Sequence, residues 1–544
     1  MVARKKLPIV DLGYAKHRPT EYNKIYDFFT FKNIRYAAPP VGKRRFQAPQ
    51  PPLWQDGIQS GKVGFQCMQA TNILFKFLDV VEDPNKESED CLFLDVAVPG
   101  DVVRGGLAGP HPLPVMVWIH GGGYTFGSKD GFYRPTPMMK AAHNKMIYVS
   151  INYRLGAFGF LGGKQVRKGG QTNAGLHDQH MALNWIKENI AKFGGDPEQI
   201  TVMGESAGAS SIFHHITSPE EPVFKRAILQ SIASYPYFDP EIVQDTYDKF
   251  AKLAGCNGRE DLDCLINRDV QFVEEANRRV VFDSIYGTFT FGPYIDHYYV
   301  PDLPLFRINE GKYHKNIELM ISYTSEEGYL FADPTISGEE EFDDLVRGHF
   351  PDAPSEVLHT IKDLYPPTSD EYSTTFGRIS TLIAEWIVEC NLYYLTDAFG
   401  HAYIYRVSVP PGIHSLGKKI VGLSNSADLF LTFYGTDIAE EALRKLKIKN
   451  LLKGKKNIAT GLQSYLTSFA MTGDPNKCKE EDGIPETIRF PRSDECEDMP
   501  LLDVGFRGYS ILKQTELRPK HDRCRWWLKG QWTGGECGAE GNSR

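Results

Sequence analysis

The pentapeptide Gly204–Gly208 (Gly-Glu-Ser-Ala-Gly) is the feature that most constrains how this chain folds. It matches the pattern Gly-x-Ser-x-Gly, and it follows a β-rich apolar run at 200–203 and precedes a helix-like run at 209–216. A serine at the tip of a strand-to-helix turn must adopt strained backbone angles, and flanking glycines remove the Cβ atoms that would otherwise collide. The pattern therefore predicts that Ser206 is a nucleophile held at the end of a strand.

Apolar, β-rich runs alternate with helix-like stretches over much of the chain. The clearest strand candidates are Val115–Ile119, Met146–Asn152, Ile200–Met203, Ile317–Ser322 and Ala402–Val407. Such alternation is typical of an α/β protein with a mostly parallel sheet and helices on both faces. Because no internal repeat or Ser/Gly-rich linker interrupts the chain, we expect one catalytic domain over residues 1–544, with large insertions.

A glycine turn follows the strand candidate at 115–119 directly, in the run His-Gly-Gly-Gly-Tyr at 120–124. Consecutive glycines allow backbone N–H groups to turn into a cavity and approach a substrate closely, as an oxyanion hole requires. We expect the N–H groups of Gly122, Gly123 and Ala207 to form this hole, with Ala207 following the nucleophile Ser206.

The order of catalytic residues along this kind of fold is serine, then acid, then histidine. After the strand candidate at 317–322, the loop offers Glu326 and Glu327 as the orienting carboxylate. Only His414 follows a later strand, in a Pro-Pro-Gly-Ile-His loop, and we expect it to be the base. The histidines beyond the acid loop are His349, His359, His401, His414 and His521.

Composition narrows the choice of partners and location. The net charge of -8 is spread along the chain, which argues against nucleic acid, and no run reaches the roughly 20 apolar residues of a membrane span. Neither a leader peptide nor an Asn-x-Ser/Thr acceptor is visible, so a cytoplasmic protein is favoured, although a secreted protein that had lost its leader would look the same. Nothing in the sequence indicates an oligomeric state.

Metal and cysteine chemistry offer weaker signals. His214 and His215 are adjacent on a helix-like run, so their side chains point about 100° apart and cannot chelate one ion together, and we expect neither metal nor cofactor. Nine cysteines are spread thinly along the chain. Cys67 with Cys91, and Cys256 with Cys264, are candidates either for bridges or for free thiols.

Several longer motifs make the chain resemble the type-B carboxylesterase and cholinesterase family over nearly all its length, with the fungal members closest. The family-like stretches lie at 35–42, 89–95, 152–156, 173–179 and 193–208. The resemblance implies an α/β-hydrolase fold, a small-molecule ester or lactone substrate and a serine esterase mechanism. It also implies that Glu327 is the triad acid and that Cys67–Cys91 and Cys256–Cys264 are disulfides. Because some fungal relatives serve secondary-metabolite pathways, the resemblance also implies a role of this kind for the chain.

The chain departs from the family pattern after the histidine. In many relatives a glycine and an acidic residue follow the histidine, whereas here the matching segment begins only at Asp428. In one alignment His414 is the base and about a dozen residues are inserted after it. In the other, Asn425 occupies the histidine position and the enzyme is impaired.

Aromatic residues near the two glycine motifs are candidates for the substrate pocket. Tyr124 and Phe126 follow the glycine turn, and Tyr235 follows the strand-like run at 227–231. Aromatic walls suit apolar or aromatic acyl groups. Acyl transfer or a cyclisation on the same fold is an alternative to hydrolysis, and a non-catalytic adhesion homologue is disfavoured because Ser206 is retained.

Overall fold

A computed structural model of the chain describes residues 7–72, 86–107, 109, 111–130, 133–234, 240–256, 262–350, 353–408, 427–435, 456–478, 487–505, 507–514 and 521–529. The strands are β1 Val10–Asp11, β2 Lys16–His17, β3 Glu21–Asn23, β4 Phe28–Arg35, β5 Ile58–Gln59, β6 Phe93–Pro99, β7 Leu113–Ile119, β8 Ile147–Ile151, β9 Gly195–Glu205, β10 Arg226–Gln230, β11 Glu318–Thr324, β12 Tyr403–Val407, β13 Pro500–Gly505 and β14 Gly508–Lys513. The helices are α1 Gly100–Arg104, α2 Thr136–Ala141, α3 Gly156–Phe160, α4 Lys164–Gly169, α5 Ala174–Asn189, α6 Ala207–Thr217, α7 Pro240–Leu253, α8 Asp263–Asn267, α9 Val270–Phe282, α10 Pro304–Asn309, α11 Glu339–His349, α12 Ser355–Leu364, α13 Thr375–Ala384, α14 Cys390–Phe399, α15 Ala427–Thr432, α16 Lys456–Thr472 and α17 His521–Leu528.

Eleven of the described strands form one sheet in the order β14-β13-β12-β11-β10-β9-β7-β8-β6-β4-β3. The seven strands from β13 to β8 are parallel, and the strands at the two edges run antiparallel. Each of the five strand candidates from the sequence lies in this parallel part. The predicted mostly parallel α/β sheet is therefore confirmed, and the order of its parallel strands requires crossovers through helices.

Two hydrophobic cores cover the two faces of the sheet, and strand β7 shows how the sequence supplies both. Val115, Val117 and Ile119 are buried in one core, whereas Met116 and Trp118 are buried in the other. Successive side chains of a strand point to opposite faces, so a strand that is covered on both faces is apolar at every position. This explains the continuous apolar run rather than an alternating pattern.

The carboxyl ends of neighbouring parallel strands bring the candidate site residues to one edge of the sheet. Ser206 follows β9, Ser231 follows β10, and Glu327 lies three residues beyond the end of β11. Strands β9 and β10 are paired so that Glu205 lies opposite Gln230, and the Ser206 N–H donates to the Gln230 carbonyl at 2.9 Å.

Three disulfides form within the described chain. The two pairs that the resemblance implies, Cys67–Cys91 and Cys256–Cys264, are both present. A third, Cys390–Cys524, joins α14 to α17 and was not predicted from the sequence. Among the described residues, no helix is long and apolar enough to cross a membrane.

Candidate active site

Ser206 lies on a sharp turn between β9 and α6, with φ 53° and ψ −122°. A Cβ on Gly204 would lie 2.6 Å from the backbone of Gly208, and one on Gly208 would overlap the carbonyl oxygen of Ile119. Only glycine fits at these two positions because strand, turn and helix approach so closely. A non-glycine residue at positive φ stores strain, which is typical of a serine held out as a nucleophile.

The glycine turn packs directly against this serine. A Cβ on Gly121 would lie 3.2 Å from the Cβ of Ser206, and Gly122 and Gly123 both have positive φ. Neither their N–H groups nor that of Ala207 donates to another residue in the described part of the chain. Three unused backbone donors therefore surround the nucleophile, the arrangement that the sequence predicts for an oxyanion hole.

Glu327 is fully buried at the start of a short 3-10 turn after β11. Its Oε1 accepts hydrogen bonds from the Thr324 N–H at 2.6 Å and from the Ser231 hydroxyl at 2.8 Å. Its Oε2 is buried and has no hydrogen-bond partner among the described residues. One carboxylate oxygen is thus fixed by the protein, and the other is left to accept a proton donor such as an imidazole N–H.

The sequence offers two candidates for the position of the base. His414 and Asn425, the two alternatives from the sequence, both fall outside the described residues. No described histidine is hydrogen-bonded to Glu327 or Ser206. Two histidines that were not expected to be the base have other partners. His349 bonds the Leu345 carbonyl on α11, and His359 bonds the Ser355 carbonyl on α12.

Two further acidic residues share this buried region and were not predicted as site residues. Asp428 on α15 accepts a hydrogen bond from the Ser231 hydroxyl at 3.3 Å, so Ser231 connects it to Glu327. Burial raises the pKa of Asp428 to about 7. Burial and the charge of Asp428 also hold the pKa values of Glu205 and Glu327 well above the usual range. Each negative charge among these carboxyl groups therefore opposes the ionisation of its neighbours.

A cavity of about 20 Å³ lies beside the nucleophile. Its lining consists of Gly123, Tyr124, Ser206, Ala207, Ala233, Gly287, Phe289, Phe331 and Ile387. Of the predicted pocket residues, Tyr124 lines it and Tyr235 falls outside the described residues. Phe126 is not part of the lining, and its N–H donates to the Gly122 carbonyl at 3.1 Å within the glycine turn.

Phe289 lines the cavity beside Ser206 and was not predicted from the sequence. A Cβ on Gly123 would overlap the Phe289 ring, so this ring packs directly on the predicted oxyanion hole. Phe331 meets it edge to face, with 6.3 Å between ring centroids. Phe289 and Phe331 lie far from Gly123 along the chain, so no local motif predicts that they line the cavity.

Comparisons with known proteins show the family and the fold of this chain. The model of the carboxylesterase family matches residues 14–527. Carboxylesterase patB of Aspergillus clavatus is 34% identical over 97% of this chain and 97% of its own length, and a secreted lipase of Arthroderma benhamiae is 28% identical over 97% and 93%. The crystal structure of Aspergillus niger EstA matches with a TM-score of 0.78 at 25% identity, covering 97% of this chain and 99% of that chain. Each similarity extends over nearly the whole molecule.

Proposed function

We propose that this chain, which belongs to the carboxylesterase family and is a carboxylic ester hydrolase, acts through a covalent acyl-enzyme formed on Ser206. The observation that carries the proposal is that Ser206, Gly123 and Ala207 line one small cavity, and that in the described part of the chain the N–H groups of Gly123 and Ala207 donate to no other residue. A strained serine surrounded by free backbone donors suits attack on a carbonyl whose oxygen becomes negatively charged.

The reaction has two steps. In the first, the Ser206 oxygen attacks the ester carbonyl carbon while the base takes its proton, and the oxyanion binds the N–H groups of Gly122, Gly123 and Ala207. The base then gives the proton to the leaving alcohol or, for a lactone, to the ring oxygen as the ring opens. In the second step, water attacks the acyl-enzyme in the same way and releases the acid. Removing one oxyanion donor from such a site typically costs about 10²- to 10³-fold in kcat.

We propose His414 as the base and Glu327 as the residue that orients it. The Oε2 of Glu327, which has no hydrogen-bond partner among the described residues, supports this, since a histidine base needs a buried carboxylate to hold its second ring N–H and to stabilise the imidazolium. The Ser231 hydroxyl then holds the acid by a hydrogen bond, and the carboxyl groups of Asp428 and Glu205 are buried neighbours rather than a second catalytic group.

The two alignments of the histidine make opposite predictions for a pair of variants. If His414 is the base, His414→Ala lowers kcat for p-nitrophenyl acetate by at least about 10³-fold and Asn425→His has no benefit. If Asn425 occupies the position of a lost base, His414→Ala has no effect and Asn425→His raises kcat. Steady-state kinetics on both purified variants, with circular dichroism as a control for folding, distinguishes the two alignments.

We further propose that the acyl group is short. A cavity of about 20 Å³ closed by Phe289 and Phe331 has room for little more than an acetyl methyl group beside Ser206. In a series of p-nitrophenyl esters, we expect kcat/KM to fall by about 10-fold or more from acetate to butyrate. Phe289→Ala should flatten that series, whereas equal rates from acetate to octanoate in the wild-type protein would contradict the proposal.

The compartment is a separate proposal. The cytoplasmic location expected from the sequence stays a prediction, but the disulfides Cys67–Cys91, Cys256–Cys264 and Cys390–Cys524 favour an oxidising compartment, because reducing compartments keep thiols free. The single domain over residues 1–544 and the role in fungal secondary metabolism also stay predictions.

A further inference from the structure

Four charged side chains of alternating sign form a ring where the loop after the glycine turn meets strands β4 and β6. Lys129 lies 2.9 Å from both Asp95 and Asp130, and Lys32 lies 2.8 Å from Asp95 and 2.5 Å from Asp130. We call Lys32, Asp95, Lys129 and Asp130 the charge square. The Lys129 side chain is 0% exposed and that of Asp95 is 9% exposed, so these charges depend on each other for solvation.

Opposite charges within the square keep Lys32 and Asp130 ionised. Burial alone would lower the pKa of Lys32, but the carboxylates of Asp95 and Asp130 raise it above its ordinary value. Burial alone would raise the pKa of Asp130, but Lys129 and Lys32 lower it below its ordinary value. Both side chains are therefore charged throughout the neutral range, and the square is not loosened by a change in protonation there.

The square joins the loop to the rigid sheet. Lys32 lies on β4 and Asp95 on β6, where the Asn33 N–H also donates to the Asp95 carboxylate at 2.7 Å. Strand β4 has a register irregularity between Phe31 and Ile34, and Lys32 lies within it. Irregularities of this kind re-aim side chains and accompany functional sites. Lys129 reaches this point from the loop, six residues after Gly123.

Hydrogen bonds also hold this loop, because the Gln69 side chain bonds both the N–H and the carbonyl of Gly127, at 2.6 and 3.0 Å. Lys32, Asp95, Lys129 and Asp130 all line a cavity of about 810 Å³ that opens between the edge strands and the loop. The Lys129 N–H also bonds the Asn152 side chain at 2.7 Å, which fixes the backbone at the same residue.

We infer that Lys129 is a positioning residue for the oxyanion hole, with Asp95 and Asp130 as its anchors. Its two ion pairs hold the loop end at a fixed place on the sheet, and the loop in turn sets the direction of the Gly122 and Gly123 N–H groups. The inference rests on the proposed function, because it concerns stabilisation of the oxyanion in that reaction. A displacement of about 1 Å at a reacting group can cost roughly 10²-fold in rate.

The test uses Lys129→Met, which keeps the length of the side chain and removes its charge. With p-nitrophenyl acetate, kcat should fall about 10- to 10²-fold while KM changes by less than about 3-fold, because the lost stabilisation belongs to the transition state. Affinity for a trifluoromethyl ketone, which forms an oxyanion adduct with the serine, should fall by the same factor as kcat.

Arg45→Met is the matched control. Arg45 forms a buried ion pair with Glu89, with side-chain exposures of 5% and 8%, and it also binds the carbonyls of Leu265 and Arg268 rather than the glycine loop. It should lower the melting temperature but leave kcat within about 2-fold of wild type. If Lys129→Met does not fold, Asp130→Asn removes one ion pair from each lysine at a half-exposed position and should lower kcat about 3- to 10-fold.

Two results separate failure of this inference from failure of the proposed function. Unchanged kcat and unchanged ketone affinity in Lys129→Met, or equal losses in Lys129→Met and Arg45→Met, overturn the inference while Ser206→Ala still abolishes hydrolysis. Hydrolysis that survives Ser206→Ala overturns the proposed function itself.

Discussion

Glu327 combines two properties that a catalytic acid needs, a fixed position and an unoccupied oxygen. Thr324 and Ser231 hold Oε1, and Oε2 has no partner in the described part of the chain. Burial, together with the charge of Asp428, raises the pKa of Glu327 well above its ordinary value. The residue is therefore poised to gain from a positively charged imidazole beside it.

Asp428→Asn should shift the pH dependence of catalysis. The triad acid must be ionised to stabilise the imidazolium, so activity falls as the pH drops through its pKa. The charge of Asp428 contributes to the raised pKa of Glu327, so removing that charge lowers this pKa and moves the acid limb of kcat/KM to lower pH. The pH profile of kcat/KM measures this directly, and an acid limb that stays in place or moves upward would contradict the assignment.

Asp503→Asn is a suitable control for that experiment. Asp503 is also largely buried and lies on β13, where it is ion-paired to Arg406 at 2.9 Å. Strand β13 is four places from β9 in the sheet, so this variant removes a carboxylate without touching the acid pair that Ser231 connects.

Single residues in contiguous motifs were predictable from the sequence, whereas residues brought together by packing were not. The pattern around Ser206 and the glycine turn each specify a backbone conformation locally, so the sequence indicated both. Phe289, Phe331 and Ile387 reach the cavity only through tertiary packing. Glu205 lies inside the serine motif, but its burial beside Asp428 depends on a contact between residues more than 200 positions apart.

Helices α5 and α6 carry four histidines, three of which, His177, His180 and His215, lie against the ring of Tyr299. His215 bonds the Tyr299 hydroxyl at 2.7 Å through Nδ1 and the Gln179 side chain at 2.9 Å through Nε2. The neighbouring histidines on the same helix pair are His177, His180 and His214. Both ring nitrogens of His215 therefore have partners within the protein.

Acid should destabilise this helix pair. Burial lowers the pKa of His177 to about 4 and that of His214 to about 3, whereas an unfolded histidine titrates near 6.5. The unfolded state binds more protons below about pH 6.5, so stability is lost as the pH falls from there toward 4. Each such histidine contributes about 1.4 kcal/mol per pH unit to the slope of unfolding free energy against pH in that window.

His214→Leu isolates one of these contributions. Urea unfolding between pH 6 and pH 4 should give a slope lower by about 1.4 kcal/mol per pH unit than the wild-type slope. An unchanged slope would show that His214 is protonated in the folded protein and would contradict its burial as a neutral side chain.

At the scale of the whole molecule, an eleven-stranded sheet and three disulfides organise the described part of the chain. The parallel centre of the sheet was predictable where its strands form continuous apolar runs, as in β7 and β8, but β13 was not predicted and the edge strands β3 and β14 carry no such pattern. Cys390–Cys524 spans 134 residues and follows no local motif, so its pairing emerges only from the fold. It ties α17 to α14, while Arg523 bonds Glu385 two residues before the cavity residue Ile387.

The most direct test of the account is covalent labelling of Ser206. A fluorophosphonate should add one phosphonyl group to the wild-type protein, seen as a single mass increase in the intact chain, and should abolish hydrolysis of p-nitrophenyl acetate in proportion to labelling. Ser206→Ala should neither gain this mass nor hydrolyse the ester above a small residual rate. Labelling of Ser206→Ala to the wild-type extent, or full hydrolysis by that variant, would contradict the assignment of Ser206 as the nucleophile.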